Sequence, residues 1–207
     1  MLIAVIGGAH GCATALGSAL ARIDDLGIHT ALCTGNLAAG GDDGDRVIER
    51  LRERRVTCVQ GELDRLVVRA LRKADSLRKR FPDAEFDAIV RAHESLASGN
   101  IEFLRALPQR IALTFEGKSV YLCHGSVSSQ SAATRPDDSL DRFRRQREAA
   151  NSDVIVCGSD EDAFVRAVDT TLFVNPGRLD VASDCVSFAV LDTDAEPACG
   201  EIVRVTR

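Results

Sequence analysis

Six residues with the chemistry of ligands stand just behind apolar runs along this 207-residue chain: His10, Asn36, Glu62, His124, Glu161 and Asn175. Each lies close to a glycine, in Gly8-Ala9-His10-Gly11, Gly35-Asn36, Gly61-Glu62-Leu63-Asp64, His124-Gly125-Ser126, Gly158-Ser159-Asp160-Glu161 and Asn175-Pro176-Gly177. Imidazoles, carboxylates and amides gathered in one place suit a hard or borderline divalent cation, with the amides as weak oxygen donors. Taken singly, each of these residues is more often a turn-former or a surface group than a ligand. The recurrence at successive run ends is what points to a site. In an open α/β sheet ligands sit outside the carboxyl ends of the strands, so the residues need parallel strands that end side by side.

The elements for this are present. Leu2 to Ile6 is an uninterrupted apolar run with turn signals behind it, the pattern of a strand buried on both faces, and a helix follows from Ala13 to Ile23. Ile28 to Thr34 and Val56 to Gln60 read as the second and third strands, with a helix from Arg46 to Arg54 between them. Strands alternating with crossover helices imply a parallel sheet with right-handed connections. Leu63 to Arg80 and Asp83 to Ala97 have helical spacing and are separated by Phe81-Pro82, and a short apolar segment follows over Ile101 to Leu107. This reads as a helical insertion over about 64–107. Its many arginines are either solvated faces with i,i+4 pairs or, for a few, groups that reach over the strand ends to a phosphate. Ile111 to Phe115 and Ser119 to Cys123 form a predicted hairpin, and a basic helix runs on to about Ala149. Asp153 to Cys157 and Thr171 to Val174 are further strands, and Val186 to Asp192 with Glu201 to Val205 an antiparallel pair.

Composition bounds the function. Hydrophobic residues make up 45% and charged residues 28%, as in ordinary soluble domains, and the length suits one domain over 1–207. A net charge of −5 gives no general attraction to nucleic acid or to an anionic membrane, so neither is expected as a partner. No apolar run approaches a bilayer span and no basic stretch precedes the first one, so a cytoplasmic location is expected. The seven cysteines, without a C-x-x-C pair, argue for reduced thiols. Cys33, Cys58, Cys123 and Cys157 end strands and read as small core hydrophobes rather than a soft-metal site.

In this order the motifs resemble the calcineurin-like metallophosphoesterases, in particular the small bacterial and archaeal branch with a helical insertion. That family's D-x-H, G-D, G-N-x-D, H-G-S, G-H-T-H and N-P-G-S segments correspond to the six stretches quoted above, and the short helix with leucine-proline before its H-G motif to Asn100 to Pro108. The resemblance spans essentially the whole chain. It implies an α/β fold built as a four-layer α/β/β/α sandwich, metallo-dependent phosphatase-like, with two sheets packed together and helices outside.

The chemistry diverges from that pattern. The resemblance places the family's two-metal ligands at positions 8, 10, 36, 62, 124, 159 and 161, of which His10 and His124 match in type. Gly8 stands for the first aspartate, Asn36 for the bridging aspartate, Glu62 for the asparagine, and Ser159 and Glu161 for two histidines. Two divalent ions about 3.5–4 Å apart need an anionic bridge, and a neutral amide at 36 supplies none. The family's proposed general acid falls on Leu63, which transfers no proton, while Asp64 is expected to cap the following helix. The sequence therefore predicts no tightly bound metal. The fallback is one divalent ion (Mn, Zn, Fe or Mg) held by His10, Glu62, His124 and Glu161. The expected function is a degenerate site acting by binding, of a phosphorylated small molecule or of a protein, as the retromer subunit of this fold serves as a scaffold. Asn36 and Arg178 are the expected substrate-binding residues. The alternative is an active phosphoesterase with a rebuilt site, using His124 catalytically on small phosphate mono- or diesters or nucleotides.

Overall fold

The chain is described from a computed structural model covering residues 1–159, 162–179 and 185–206. Its elements are β1 (Leu2–Ile6), α1 (Ala13–Asp25), β2 (Thr30–Cys33), α2 (Gly44–Glu53), β3 (Thr57–Cys58), α3 (Glu62–Arg69), α4 (Ala74–Arg80), α5 (Asp83–Ser95), α6 (Ser98–Ala106), β4 (Arg110–Phe115) and β5 (Lys118–Cys123). They continue with α7 (Leu140–Ala150), β6 (Val154–Val156), β7 (Phe164–Val168), β8 (Thr171–Asn175), β9 (Cys185–Asp192) and β10 (Cys199–Thr206).

Two five-stranded sheets form, ordered β10-β9-β1-β2-β3 and β4-β5-β6-β8-β7. In the first, β1, β2 and β3 are parallel, with Val5 opposite Leu32 and Cys33 opposite Cys58. In the second, β5, β6 and β8 are parallel, with Leu122 opposite Val156 and Val156 opposite Val174. The final pair, β9 and β10, is antiparallel and closes on β1.

Side-chain alternation builds the layers. Ile3 and Val5 point from β1 into a core shared with Val120, Leu122, Val154 and Val156 of the other sheet. Their neighbours Ala4 and Ile6 face the opposite way, into a core with Leu16, Ala19, Leu20 and Ile23 of α1. On the outer face of the second sheet α7 packs through Phe143, whose ring meets Phe173 at 4.8 Å and Phe164 at 6.3 Å, both edge to face. The order is helices, sheet, sheet, helix.

The stretch between β3 and β4 differs from its sequence reading. Leu63 to Arg80 is two helices, because a turn over 70–73 redirects the chain so that Leu77 joins the same core as Leu66 and Val67. No Gly or Pro marks that turn. The short helix that the resemblance implies before Leu107-Pro108 is α6, which buries Ile101 and Leu104 one turn apart. Asp45 of α2 anchors α6, accepting from the Ala97 N–H at 3.0 Å and the Asn100 Nδ2 at 2.8 Å. The sequence reading also lacked β7, which pairs antiparallel with β8, and β3 spans two residues rather than five. Cys33, Cys58, Cys123 and Cys157 are buried and form no disulfide among the described residues.

Candidate functional site

At the carboxyl end of β1 the chain turns sharply, and His10 takes a left-handed φ of +47°. Its N–H donates to the Asn36 carbonyl at 2.9 Å. The turn folds the imidazole back over Gly8, so that a Cβ on residue 8 would stand 2.7 Å from His10 Nε2 and 3.1 Å from Asn36 Cβ. The ring thus occupies the room in front of a position that has no side chain. Burial lowers the His10 pKa, and the nearby charge of Arg178 lowers it further, against the opposing pull of Asp64. At neutral pH the ring is uncharged.

The end of β2 is tied to the start of α3. Asn36, also left-handed at φ +59°, accepts through Oδ1 from the Leu63 N–H at 2.9 Å, capping the helix from a neighbouring loop. The Asp64 carboxylate is fully buried and accepts three backbone N–H groups, from Gly61 at 2.9 Å, Asn36 at 2.8 Å and Leu37 at 2.7 Å. Burial pushes its pKa up and those hydrogen bonds pull it back. Asp64 does cap α3, as expected, and it also fixes the loop that carries Asn36. The signal was its place at the third helical position after a glycine, the acidic half of a capping box.

Glu62 faces arginines. Its Oε1 lies 3.1 Å from Arg80 Nη2 of α4 and 3.9 Å from Arg65 Nη2, so its negative charge is already shared with two guanidinium groups. His124, at the end of β5, is 2% exposed. Its Nδ1 lies 2.6 Å from the Thr34 carbonyl, which requires the proton on Nδ1 and leaves the lone pair on Nε2. Burial lowers its pKa, opposed by the Thr34 hydrogen bond and by Glu62. That bond joins the two sheets at their carboxyl ends. Gly158, at the end of β6, permits the same approach, since a Cβ there would stand 2.1 Å from Thr34 Oγ1.

The loop after β8 completes the rim. Asn175 Oδ1 accepts from the Gly177 N–H at 2.9 Å, while its buried Nδ2 has no partner among the described residues. The Leu179 N–H donates to the Gly8 carbonyl at 2.9 Å, which brings half-buried Arg178 beside the His10 loop. His10, Asn36, Glu62, His124 and Arg178 therefore share one end of the two sheets. Glu161 lies outside the described residues.

Residues 1–196 match the Calcineurin-like phosphoesterase superfamily domain. The chain belongs to this family. Similar solved structures carry the same fold. A hypothetical protein from Pyrococcus horikoshii OT3 superposes with a TM-score of 0.86 at 19% identity, over 99% of this chain and 88% of that one. A metallophosphoesterase from Sphaerobacter thermophilus gives 0.74 at 20% identity, over 100% and 89%. Wild-type Vps29 from Entamoeba histolytica, complexed with Zn²⁺, gives 0.56 at 17% identity, over 100% and 99%. No curated protein matches the sequence.

The calcineurin-like phosphoesterase family implies divalent metal ions, and the donors described here do not fit a dinuclear centre. Residue 8 offers no ligand, and the single side-chain oxygen at 36 caps a helix. The Asp64 carboxylate already accepts three backbone N–H groups, and Glu62 is paired with arginine. Among the described residues no group of three or more His, Cys, Asp and Glu side chains is placed to hold a metal. Sequence reasoning missed Arg80 and Thr34, whose roles depend on where α4 and the second sheet lie.

Proposed function

We propose that this member of the calcineurin-like phosphoesterase family binds a phosphorylated ligand at the strand ends and does not turn it over efficiently. One observation carries the reading: Asn36, standing where the resemblance puts a metal-bridging aspartate, has its Oδ1 committed to the Leu63 N–H at 2.9 Å. Without an anionic bridge two divalent ions repel, and the water between them is not converted to a nucleophile at neutral pH. What remains suits an anion. Arg178 supplies a guanidinium fork, and the neutral imidazoles of His10 and His124 together with the Asn36 amide supply polar contacts. In this proposal the whole chain is one domain with a helical insertion, works in the cytoplasm and needs no tightly bound metal. No helix among the described residues is long and apolar enough to cross a membrane.

A second reading has its own support. The Thr34 carbonyl fixes the His124 tautomer with Nε2 as lone pair, the way second-shell acceptors orient a metal-bound imidazole. In that reading His124, with His10, Glu62 and Glu161, would hold a single divalent ion, which would supply Lewis-acid polarisation of a phosphoryl oxygen. The Arg80 ion pair weighs against it, since Glu62 must leave that guanidinium to ligate.

Calorimetric titration of the metal-free protein with a phosphomonoester tests the first reading. Binding without product release, weakened about tenfold or more in Arg178→Ala, is the expected result. Absence of binding until Mn²⁺ is added, followed by hydrolysis, would overturn it in favour of the second.

A further inference from the structure

A second cavity opens beside the strand ends, within the helices between β3 and β4. Its volume is about 580 Å³. Four arginines line it, Arg65 and Arg69 from α3, Arg72 from the turn that follows and Arg105 from α6, with His93 of α5 among them. In a chain of net charge −5 this is a marked local excess of positive charge. No carboxylate lines the cavity among the described residues.

The cations are only partly neutralised from outside it. Arg105 pairs with Glu102, and Arg65 lies 3.9 Å from Glu62. Arg69 and Arg72 form no ion pair among the described residues. Arg65 Nε is buried without a hydrogen-bond partner, an orphaned donor in the cavity wall. His93 Nδ1 is held by the Val67 carbonyl at 2.8 Å, which fixes its proton there and leaves Nε2 as the second polar atom. Like charges held together in this way repel unless an anion sits between them.

The type of cation identifies the anion. All four are arginine, and a planar guanidinium fork matches two oxygens of one phosphoryl group where lysine offers a point charge. A terminal phosphate carries roughly −1.5 to −2, so one phosphoryl group balances Arg69 and Arg72, and a second engages Arg65 and Arg105 when these turn from Glu62 and Glu102 to the ligand. The volume accommodates more than a lone orthophosphate, and Val68 and Leu107 add apolar wall.

We propose that this cavity is an oligophosphate-binding site, taking a pyrophosphate or longer phosphate chain, free or as part of a nucleotide. It adjoins the strand-end site. Gln109 lines both this cavity and the small one at His124, and the Gln60 carbonyl accepts from Gln130 Nε2 at 2.5 Å between them. The assignment stands without the strand-end reading, since none of its cations is a strand-end residue.

Titration calorimetry of the full chain with sodium pyrophosphate, orthophosphate and succinate at equal ionic strength tests it. Pyrophosphate is expected to bind at least tenfold tighter than either of the others. The exposed double variant Arg69→Gln, Arg72→Gln is expected to weaken pyrophosphate at least tenfold, while His10→Gln changes it less than twofold. Succinate or orthophosphate binding of comparable strength that the Arg69→Gln, Arg72→Gln variant weakens equally would overturn the oligophosphate assignment. Pyrophosphate affinity unchanged in the arginine variant, or lost in His10→Gln alone, would place the anion at the strand ends and overturn the site. A nucleoside triphosphate that binds no tighter than pyrophosphate identifies the phosphate chain as the recognised part, and one that binds regardless of Arg69 and Arg72 contradicts the proposal.

Discussion

His10 Nε2 stands 2.7 Å from the point a Cβ on Gly8 would occupy. Histidine and glycine are therefore a matched pair: the ring lies where an aspartate side chain would begin. Gly8→Asp must swing the ring aside and ease the 3.1 Å approach to Asn36 Cβ. Because the ring is a mobile end, the cost is expected at about 1–2 kcal/mol. The new carboxylate beside the imidazole raises its pKa, opposite in sign to the lowering by burial in the native chain. NMR titration of the His10 ring protons checks this, and an unchanged midpoint would contradict the placement of the ring.

Asp64 joins two loops with one carboxylate. Its three acceptor bonds, from Gly61, Asn36 and Leu37, are all with backbone N–H groups. Asp64→Asn keeps one oxygen and turns an NH₂ toward donors, leaving buried N–H groups unpaired. A loss of about 2–4 kcal/mol is expected from the usual cost of unsatisfied buried partners. Urea denaturation measures it, and a loss under about 0.5 kcal/mol would show that the carboxylate does not organise the loop.

The strand-end histidines, buried His124 and half-buried His10, give stability a pH dependence of fixed sign. Both have folded-state pKa values lowered by burial, so the unfolded chain takes up protons first as pH falls through about 6.5. Stability is full above that point and declines below it until the folded-state values are reached, with a slope of up to about 1.4 kcal/mol per pH unit for each histidine. Thermal melts between pH 7.5 and 5.5 should show the decline, and His124→Gln should make it shallower. A stability that rises as pH falls over this range would contradict the assignment.

On the outer face of the second sheet α7 holds its place through Phe143, which is fully buried against Phe173 and Phe164. Phe143→Ala should cost about 3–5 kcal/mol. Loss of α7 helicity at the same denaturant concentration as the global transition is expected, and an early separate loss would show that this layer is not cooperative with the sheets.

The sequence was most legible where one signal is local and strong. Leu2 to Ile6 is the strand its apolar run predicts, and the hairpin over β4 and β5 follows from its two runs and the Glu116-Gly117 turn. The turn over 70–73 was not legible, because tertiary packing of Leu77, not a Gly or Pro, sets it. The short helix that buries Ile101 and Leu104 was legible from the motif order, ahead of Leu107-Pro108. At the site, the types of His10, Asn36 and His124 could be read in advance. Their commitments could not: the helix cap by Asn36 and the Thr34 bond to His124 span 27 and 90 residues of sequence. The pairing of Glu62 with Arg80 depends on α4 folding back over α3, which spacing alone does not encode.

The most direct test of the central claim is the metal content of protein purified without chelator, read beside Mn²⁺-dependent hydrolysis of an aryl phosphodiester in the same sample. Well under one equivalent of divalent metal per chain and no Mn²⁺-stimulated turnover are expected. Two equivalents of metal with hydrolysis that rises and saturates with Mn²⁺ would contradict it.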